Sequence, residues 1–189
     1  VQLWVGLGNP GSQYALHRHN VGFMALDVIA VDYGFSPWKK QFQGLVSEGR
    51  IGPYKVLLLK PQTFMNKSGQ SIRAACDFYK LGVEDVTVFH DELDLAPMKM
   101  KVKRGGGTAG HNGLRSTDAH LGKDFRRVRI GIGHPGDKDR VTGHVLGNYA
   151  KIEIDPLADL LGAMSREAEW LAAGDDVRFM NEVARRLQD

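Results

Sequence analysis

Histidine can take up and release a proton near neutral pH, and it acts as a general base when a partner fixes its tautomer. Four histidines of this chain, His17, His19, His90 and His111, stand in short polar clusters, with Asp91, Glu92 and Asp94 at hand as orienting carboxylates. Asparagine offers a donor and an acceptor without charge. Asn9, Asn66 and Asn112 could therefore hold an amide or ester, or polarise its carbonyl. The clusters are 9-NPG-11 with 17-HRHN-20, 61-PQTFMNKSG-69, 90-HDELD-94 and 105-GGGTAGHNG-113. Taken singly, each has a plainer reading: a structural histidine, a loop carboxylate at Asp91, helix caps at Asn66 and Asn112. Taken together, they sit where strands end or helices begin, and strand ends gather in space in α/β proteins.

Other chemistries fit less well. The stretch 6-GLGNPG-11 follows an apolar run and has the glycine spacing of a dinucleotide fingerprint. That fingerprint should open directly into a helix, but 12-SQYALHRHN-20 intervenes, and the acidic candidates Asp27 and Asp32 fall inside the next helix. The glycines are expected to let the backbone turn tightly and present Asn9. There is no G-x-S-x-G elbow for Ser68 or Ser71, and no P-loop. The lone Cys76 sits beside Ala74 and Ala75 and should pack rather than react. His17, His19, His90 and Asp91 lack the spacing of a zinc site.

The elements that must position these groups alternate between strand and helix. Strands are expected at 2–7, 44–51, 54–61, 86–91, 98–104 and 126–133, with 141–146 as an edge segment. Helices are expected at 20–34, 68–81, 112–122, 155–173 and 175–187. In the first, Asn20 should cap, Val21, Met24, Val28 and Val31 should form the buried stripe, and Gly34 should end it; Gly82 should stop the second, and Asp175 should cap the last. This pattern predicts a single-domain α/β/α sandwich over 1–189, around a mixed, mostly parallel, twisted sheet.

Composition narrows the partners. The 189 residues carry 42% hydrophobic and 25% charged residues and a net charge of +3, which permits an acidic partner such as RNA. One cysteine rules out an internal disulfide and fits a reducing compartment. No apolar run approaches the roughly eighteen residues of a membrane span, and no targeting segment is expected. Lys99, Lys101 and Lys103 share one strand face, with Arg104 next, and Arg127 and Arg129 share another. Such faces are commonly just solvated, and they become phosphate contacts only where they flank the polar cleft.

The motifs resemble those of bacterial-type peptidyl-tRNA hydrolases. The matching segments are 6-GLGNPG-11 with Tyr14 and 18-RHNVGF-23, 61-PQTFMNKSG-69, 89-FHDELDL-95, 105-GGGTAGHNGLRS-116 and 129-RIGIGHPGDK-138, in the expected order over about the first three quarters of the chain. The resemblance implies a cytoplasmic monomer with no obligate protein partner. It would hydrolyse the ester between a peptide and the terminal ribose of tRNA, with no metal or organic cofactor. It implies His19 as the base that activates water and Asp91 as its stabilising partner. Asn9 would separate peptidyl-tRNA from free aminoacyl-tRNA. Asn66 and Asn112 would hold substrate, Asn112 also positioning the water. Tyr14, Phe64 and Met65 would line the region receiving the tRNA end, and Lys103 and Arg129 would clamp its 5′ phosphate. The sequence departs from the family pattern at His17, at 109-AGHN-112 and at 94-DLAPM-98, none of which removes a named residue. Two rivals remain, a non-catalytic RNA-binding protein and a dinucleotide oxidoreductase. The presence of His19, Asp91, Asn66 and Asn112 together favours the enzyme over the first.

Overall fold

A computed structural model describes residues 1–188; residue 189, the last of the expected domain, lies outside the described residues. Strands β1 Gln2–Gly6, β2 Lys39–Gln41, β3 Gly44–Ile51, β4 Tyr54–Pro61, β5 Val86–Glu92, β6 Met100–Arg104 and β7 Arg126–Gly131 form one sheet in the order β2-β3-β4-β1-β5-β7-β6. The pairings among β4, β1, β5 and β7 are parallel, whereas β2–β3, β3–β4 and β6–β7 pair antiparallel toward the edges. The helices are α1 Val21–Asp32, α2 Ser68–Tyr79, α3 Asn112–Leu121, α4 Val141–Val145, α5 Lys151–Arg166, α6 Ala168–Ala172 and α7 Asp176–Leu187.

Alternate strand residues feed two cores. Trp4, Val56, Leu58, Phe89, Val128 and Ile130 pack with α1, α5, α6 and α7. Leu3, Val5, Leu57, Leu59, Val86 and Val88 pack with α2 and α3 on the other face. Burial on both faces explains why β1, β4 and β5 read as nearly continuous apolar runs. It also confirms the expected α/β/α layering. Among the described residues, no helix is long and apolar enough to cross a membrane.

Several local expectations need correction. The stripe expected for α1 is only partly its buried face: Val21 is buried and Met24 and Val28 are half-buried against the core, but Val31 is 80% exposed, while Ala25, Leu26 and Ile29 are buried. The helix is apolar nearly all round, so docking rather than periodicity chooses the face. Asn20 occupies the cap position of α1 but makes no side-chain cap bond. Helix α2 ends at Lys80, which takes a left-handed conformation (φ 55°), before Gly82 is reached. The β-branched segment 141–146 forms α4 and not an edge strand. Both sides of β7 are already paired, with β5 and β6, so no edge beside it is open. The penultimate helix begins at Lys151 and breaks near Glu167 into α5 and α6. The short strand β2 was not expected. Asp175 does cap α7, accepting from the N–H of Arg178 at 3.1 Å.

The opening glycines act mainly through close approach. A Cβ on Gly6 would lie 2.3 Å from the Gly22 carbonyl oxygen, and one on Gly22 would lie 2.4 Å from the Phe89 oxygen. A Cβ on Gly8 would lie 2.7 Å from the Phe23 ring. Only Gly11 takes the positive φ of a tight turn, at 116°. This corrects the expectation that all the glycines serve the turn. The turn leads into two short 3-10 turns, Ser12–Tyr14 and Arg18–Asn20, before α1 starts at Val21, so it lacks the direct helix start that the dinucleotide fingerprint needs.

Candidate active site

The carboxyl end of β5 carries the central groups. Successive residues point to opposite faces, so Asp91 projects toward the α1 side and His90 toward the α2–α3 side. Asp91 is 4% exposed, and both its oxygens are engaged. Oδ2 lies 2.8 Å from His19 Nδ1, and Oδ1 lies 2.8 Å from His111 Nε2. The two imidazoles hold the Asp91 carboxyl well below the usual carboxylate range, although burial alone would raise it. An ionised carboxylate only accepts, so both facing nitrogens donate. Neutral His19 therefore keeps Nε2 as a free lone pair. Burial pulls the His19 pKa down, but the charge and hydrogen bond of Asp91 outweigh it and leave it raised.

His19 is positioned by its two neighbours in the turn Arg18–Asn20. The Arg18 guanidinium bonds Glu153 at 3.0 Å and the His144 carbonyl at 3.2 Å, tying the turn to α4 and α5. Asn20 accepts from the Asn9 N–H at 2.9 Å and donates to the Asn9 carbonyl at 2.9 Å. The turn's residues thus divide the work: Arg18 anchors outward, His19 meets Asp91, and Asn20 grips the backbone of Asn9. The roles of Arg18 and Asn20 were missed because both bond across the chain rather than within an element.

Asn9 is held further by its side chain. Its Oδ1 accepts from the Met65 N–H at 2.7 Å, which leaves Nδ2 as the group presented to the cleft. Met65 is buried and fills the space beside Gly113, where a Cβ would lie 2.5 Å from its sulfur. Phe64 takes a positive φ of 63°, and the residue is 52% exposed at the cleft.

Asn9, His19, Phe64, Met65, Asn66, Asp91 and Asn112 line one cleft of about 690 Å3. Neither Asn66 nor Asn112 caps a helix: Lys67 stands at the cap of α2, and His111 caps α3. Tyr14 is not among the lining residues, but its ring stands edge-on to Phe64 at 6.4 Å. Val141, Thr142, Val145 and Leu146 of the α4 segment also contribute to the lining, a contribution hidden by reading that segment as a strand.

A smaller cavity of about 230 Å3 adjoins the cleft and shares His90, Glu92, Asp94, Thr108, Ala109 and Leu114 with it. Lys103 and Arg129 line it. Arg129 Nε bonds Glu92 at 2.9 Å, and this contact holds the Glu92 carboxyl low despite its partial burial. Arg127 does not share the solvated face expected for it. It is 1% exposed and donates to the carbonyls of Gly107 at 2.6 Å and Gly106 at 2.9 Å, so it pins the glycine-rich loop.

The remaining candidates separate clearly. His90 is buried and held neutral, chiefly by desolvation, with its pKa pushed down to about 4. His17 pairs through its backbone with Asn148. Ser68 and Ser71 are buried, and burial pushes the Cys76 thiol up to about 11. The ligating atoms of His19, Asp91 and His111 lie within 4.8 Å of one another, the only such grouping among the described residues. His111 Nδ1 accepts from the N–H groups of Gly113 and Leu114 at 3.1 and 3.3 Å, which fixes the proton on Nε2, facing Asp91. A metal taking Nε2 would drive that proton onto Nδ1, against two N–H donors. The trio suits proton handling better than a cation.

The profile of the peptidyl-tRNA hydrolase family matches residues 3–189. A protein named peptidyl-tRNA hydrolase from Rhizorhabdus wittichii is 71% identical over 189 residues, covering 100% of both chains. One from Sphingopyxis alaskensis is 72% identical over 188 residues, with 100% of each chain covered. The crystal structure of peptidyl-tRNA hydrolase from Acinetobacter baumannii superposes with a TM-score of 0.91 at 43% identity, covering 97% of this chain and 94% of that one. A family profile over residues 3–189, full-length identity of 71% and a superposition covering 97% of the chain place it in the peptidyl-tRNA hydrolase family.

Proposed function

We propose that the cleft hydrolyses the ester between a peptide and the terminal ribose of tRNA by general-base catalysis, with His19 as the base. The observation that carries this is the His19–Asp91 contact, which leaves Nε2 bare at the cleft. His19 Nε2 takes a proton from water as the oxygen attacks the ester carbonyl carbon. The carbonyl oxygen gains the displaced electron pair and is met by neutral amide donors from Asn9 and Asn112. Collapse breaks the bond to the ribose oxygen, which receives the proton from His19. The products are a peptide acid and tRNA with a free terminal hydroxyl. No step needs a metal.

The polarity of Asn9 accounts for selectivity. Its oxygen is committed to Met65, so it offers only N–H donors. A peptidyl group brings a carbonyl that can accept from them, whereas a free aminoacyl group brings an ammonium that can only donate. Desolvating that unpaired charge costs energy. Asn66 and Asn112 hold the substrate beside Phe64, Tyr14 and Met65, and Lys103 and Arg129 take the 5′ phosphate in the adjoining cavity. The chain acts as one domain and as a monomer, without an obligate protein partner, in the cytoplasm where peptidyl-tRNA arises.

The test is release of an N-blocked amino acid from tRNA with EDTA present, comparing the wild type with His19→Ala. The variant is expected to lose about 10²–10⁴-fold in kcat, the scale of general-base catalysis, while binding weakens much less. Near-normal turnover would exclude His19 as the base.

A further inference from the structure

Asp91 is shared. His19 and His111 approach its two oxygens at the same 2.8 Å, and their rings lie 4.8 Å apart. His111 is doubly constrained, because its other nitrogen caps α3 through Gly113 and Leu114. Behind it, the ring of His90 stands edge-on at 5.3 Å. His90 is 1% exposed, and its Nδ1 lies 2.8 Å from the Asp91 carbonyl. Three contacts therefore hold the His111 ring in one orientation: the carboxylate, the helix start and the neighbouring imidazole.

We propose that His111 is a positioning residue that divides the Asp91 carboxylate between two imidazoles and so sets how strongly Asp91 holds the proton of His19. This inference rests on the reading of His19 as the base. A carboxylate with one donor on each oxygen spreads its charge over both. Removing the His111 donor leaves His19 as the strong partner, and the imidazolium formed during the reaction is then held more tightly. The base would be easier to protonate and slower to return its proton to the ribose oxygen. The other groups within electrostatic reach do not substitute for His111. His90 stays neutral, Tyr149 brings a hydroxyl with a raised pKa, and Arg18 sits over the Tyr149 ring at 5.7 Å while bonded to Glu153.

Capping and carboxylate sharing can be separated. Asparagine is among the best N-cap residues, so His111→Asn keeps an acceptor for the start of α3. Its shorter side chain, with its oxygen spent on the cap, leaves Asp91 Oδ1 to water. His111→Phe removes both roles and keeps the ring volume. Two measurements are needed for each protein: kcat/KM against pH with N-blocked aminoacyl-tRNA, and titration of the His19 ring protons by NMR. In both variants the acid limb is expected to move to higher pH together with the His19 titration. The ratio of variant to wild-type rate then falls by up to roughly tenfold for each pH unit the limb has moved. Only His111→Phe should also lose thermal stability. An acid limb that stays in place or moves down in His111→Asn, with α3 intact, overturns the inference. A wild-type limb that does not follow the His19 titration would instead overturn the reading of His19 as the base.

Discussion

The side-chain oxygen of Asn9 accepts from the backbone N–H of Met65 at 2.7 Å, so the cleft meets the NH2 of that amide. Asn9→Asp tests what this orientation does. The carboxylate can still accept from Met65, but the donors are replaced by charge. Hydrolysis of N-blocked aminoacyl-tRNA should fall about 10²–10³-fold, as on removing a donor from an oxyanion site. The preference over free aminoacyl-tRNA should narrow, because the new charge attracts an ammonium. Parallel deacylation rates on the two substrates give the answer, and an unchanged preference would exclude Asn9 as the discriminating group.

The pH dependence follows from the raised pKa of His19. If His19 is the base, as proposed, its reactive form is lost as pH falls through that raised value, so kcat/KM should begin to drop at a pH above that of a free imidazole. Asp91→Asn removes the charge that raised it. Burial then dominates, and the acid limb should move to lower pH. The rate at neutral pH should also fall by about 10²–10⁴-fold, since an amide no longer demands the tautomer with the proton on Nδ1. Stability carries the same signs. The raised histidine contributes stability below its ordinary pKa that is lost as pH rises through the folded value. The depressed Asp91 contributes stability above the ordinary carboxylate range that is lost as pH falls through its own folded value. The stability difference between wild type and Asp91→Asn should therefore be largest in the mildly acidic interval between them. Thermal unfolding across pH measures it, and a difference independent of pH would exclude the coupling.

Arg127 and Arg129 are two residues apart on β7 and should behave differently. Arg127 is buried, bonds three backbone carbonyls and pairs with Asp118 at 3.3 Å. Arg127→Ala leaves these acceptors and the carboxylate without their cation. The expected cost is about 3–5 kcal/mol of stability, the scale for breaking a buried pair. Arg129→Ala opens the basic cavity to water, so its stability should change little while tRNA binding weakens and its salt dependence flattens. Denaturant midpoints and binding at two salt concentrations separate the two. Matching profiles for the two variants would contradict the assigned division.

Legibility in the sequence followed the range of each interaction. The hairpin β3–β4 was readable to the residue, since its strands alternate or run apolar around a tight Gly52–Pro53 turn. The pairing of His19 with Asp91 came from the family resemblance, because no spacing rule links residues that meet only after folding. His111 was visible as a histidine and hidden as a partner of Asp91. Its one local signal was its place just before Asn112 and Gly113, where a helix needs an acceptor for its first N–H groups. Asn20 gave a true cap signal that tertiary contacts redirected to the backbone of Asn9. Arg127 looked like half of a basic stripe because burial of a charge depends on acceptors supplied by a distant loop.

Gly22 joins the opening motif to β5, the strand that carries Asp91. It lies at the start of α1, and a Cβ there would fall 2.4 Å from the Phe89 oxygen and 2.6 Å from the Leu7 nitrogen. Those atoms are themselves bonded to each other, Leu7 N–H to the Phe89 carbonyl at 3.1 Å. The obstacle is backbone, so it has no flexible end to swing away. Gly22→Ala must push α1 off the ends of β1 and β5. Overpacking of this kind costs about 1–3 kcal/mol. The displacement also carries His19, three residues earlier, away from Asp91 on β5. Activity should therefore fall beyond what the unfolded fraction explains. Comparing the rate per folded molecule with the denaturant midpoint tests this, and normal turnover of a fully folded Gly22→Ala protein would show that the site tolerates the shift.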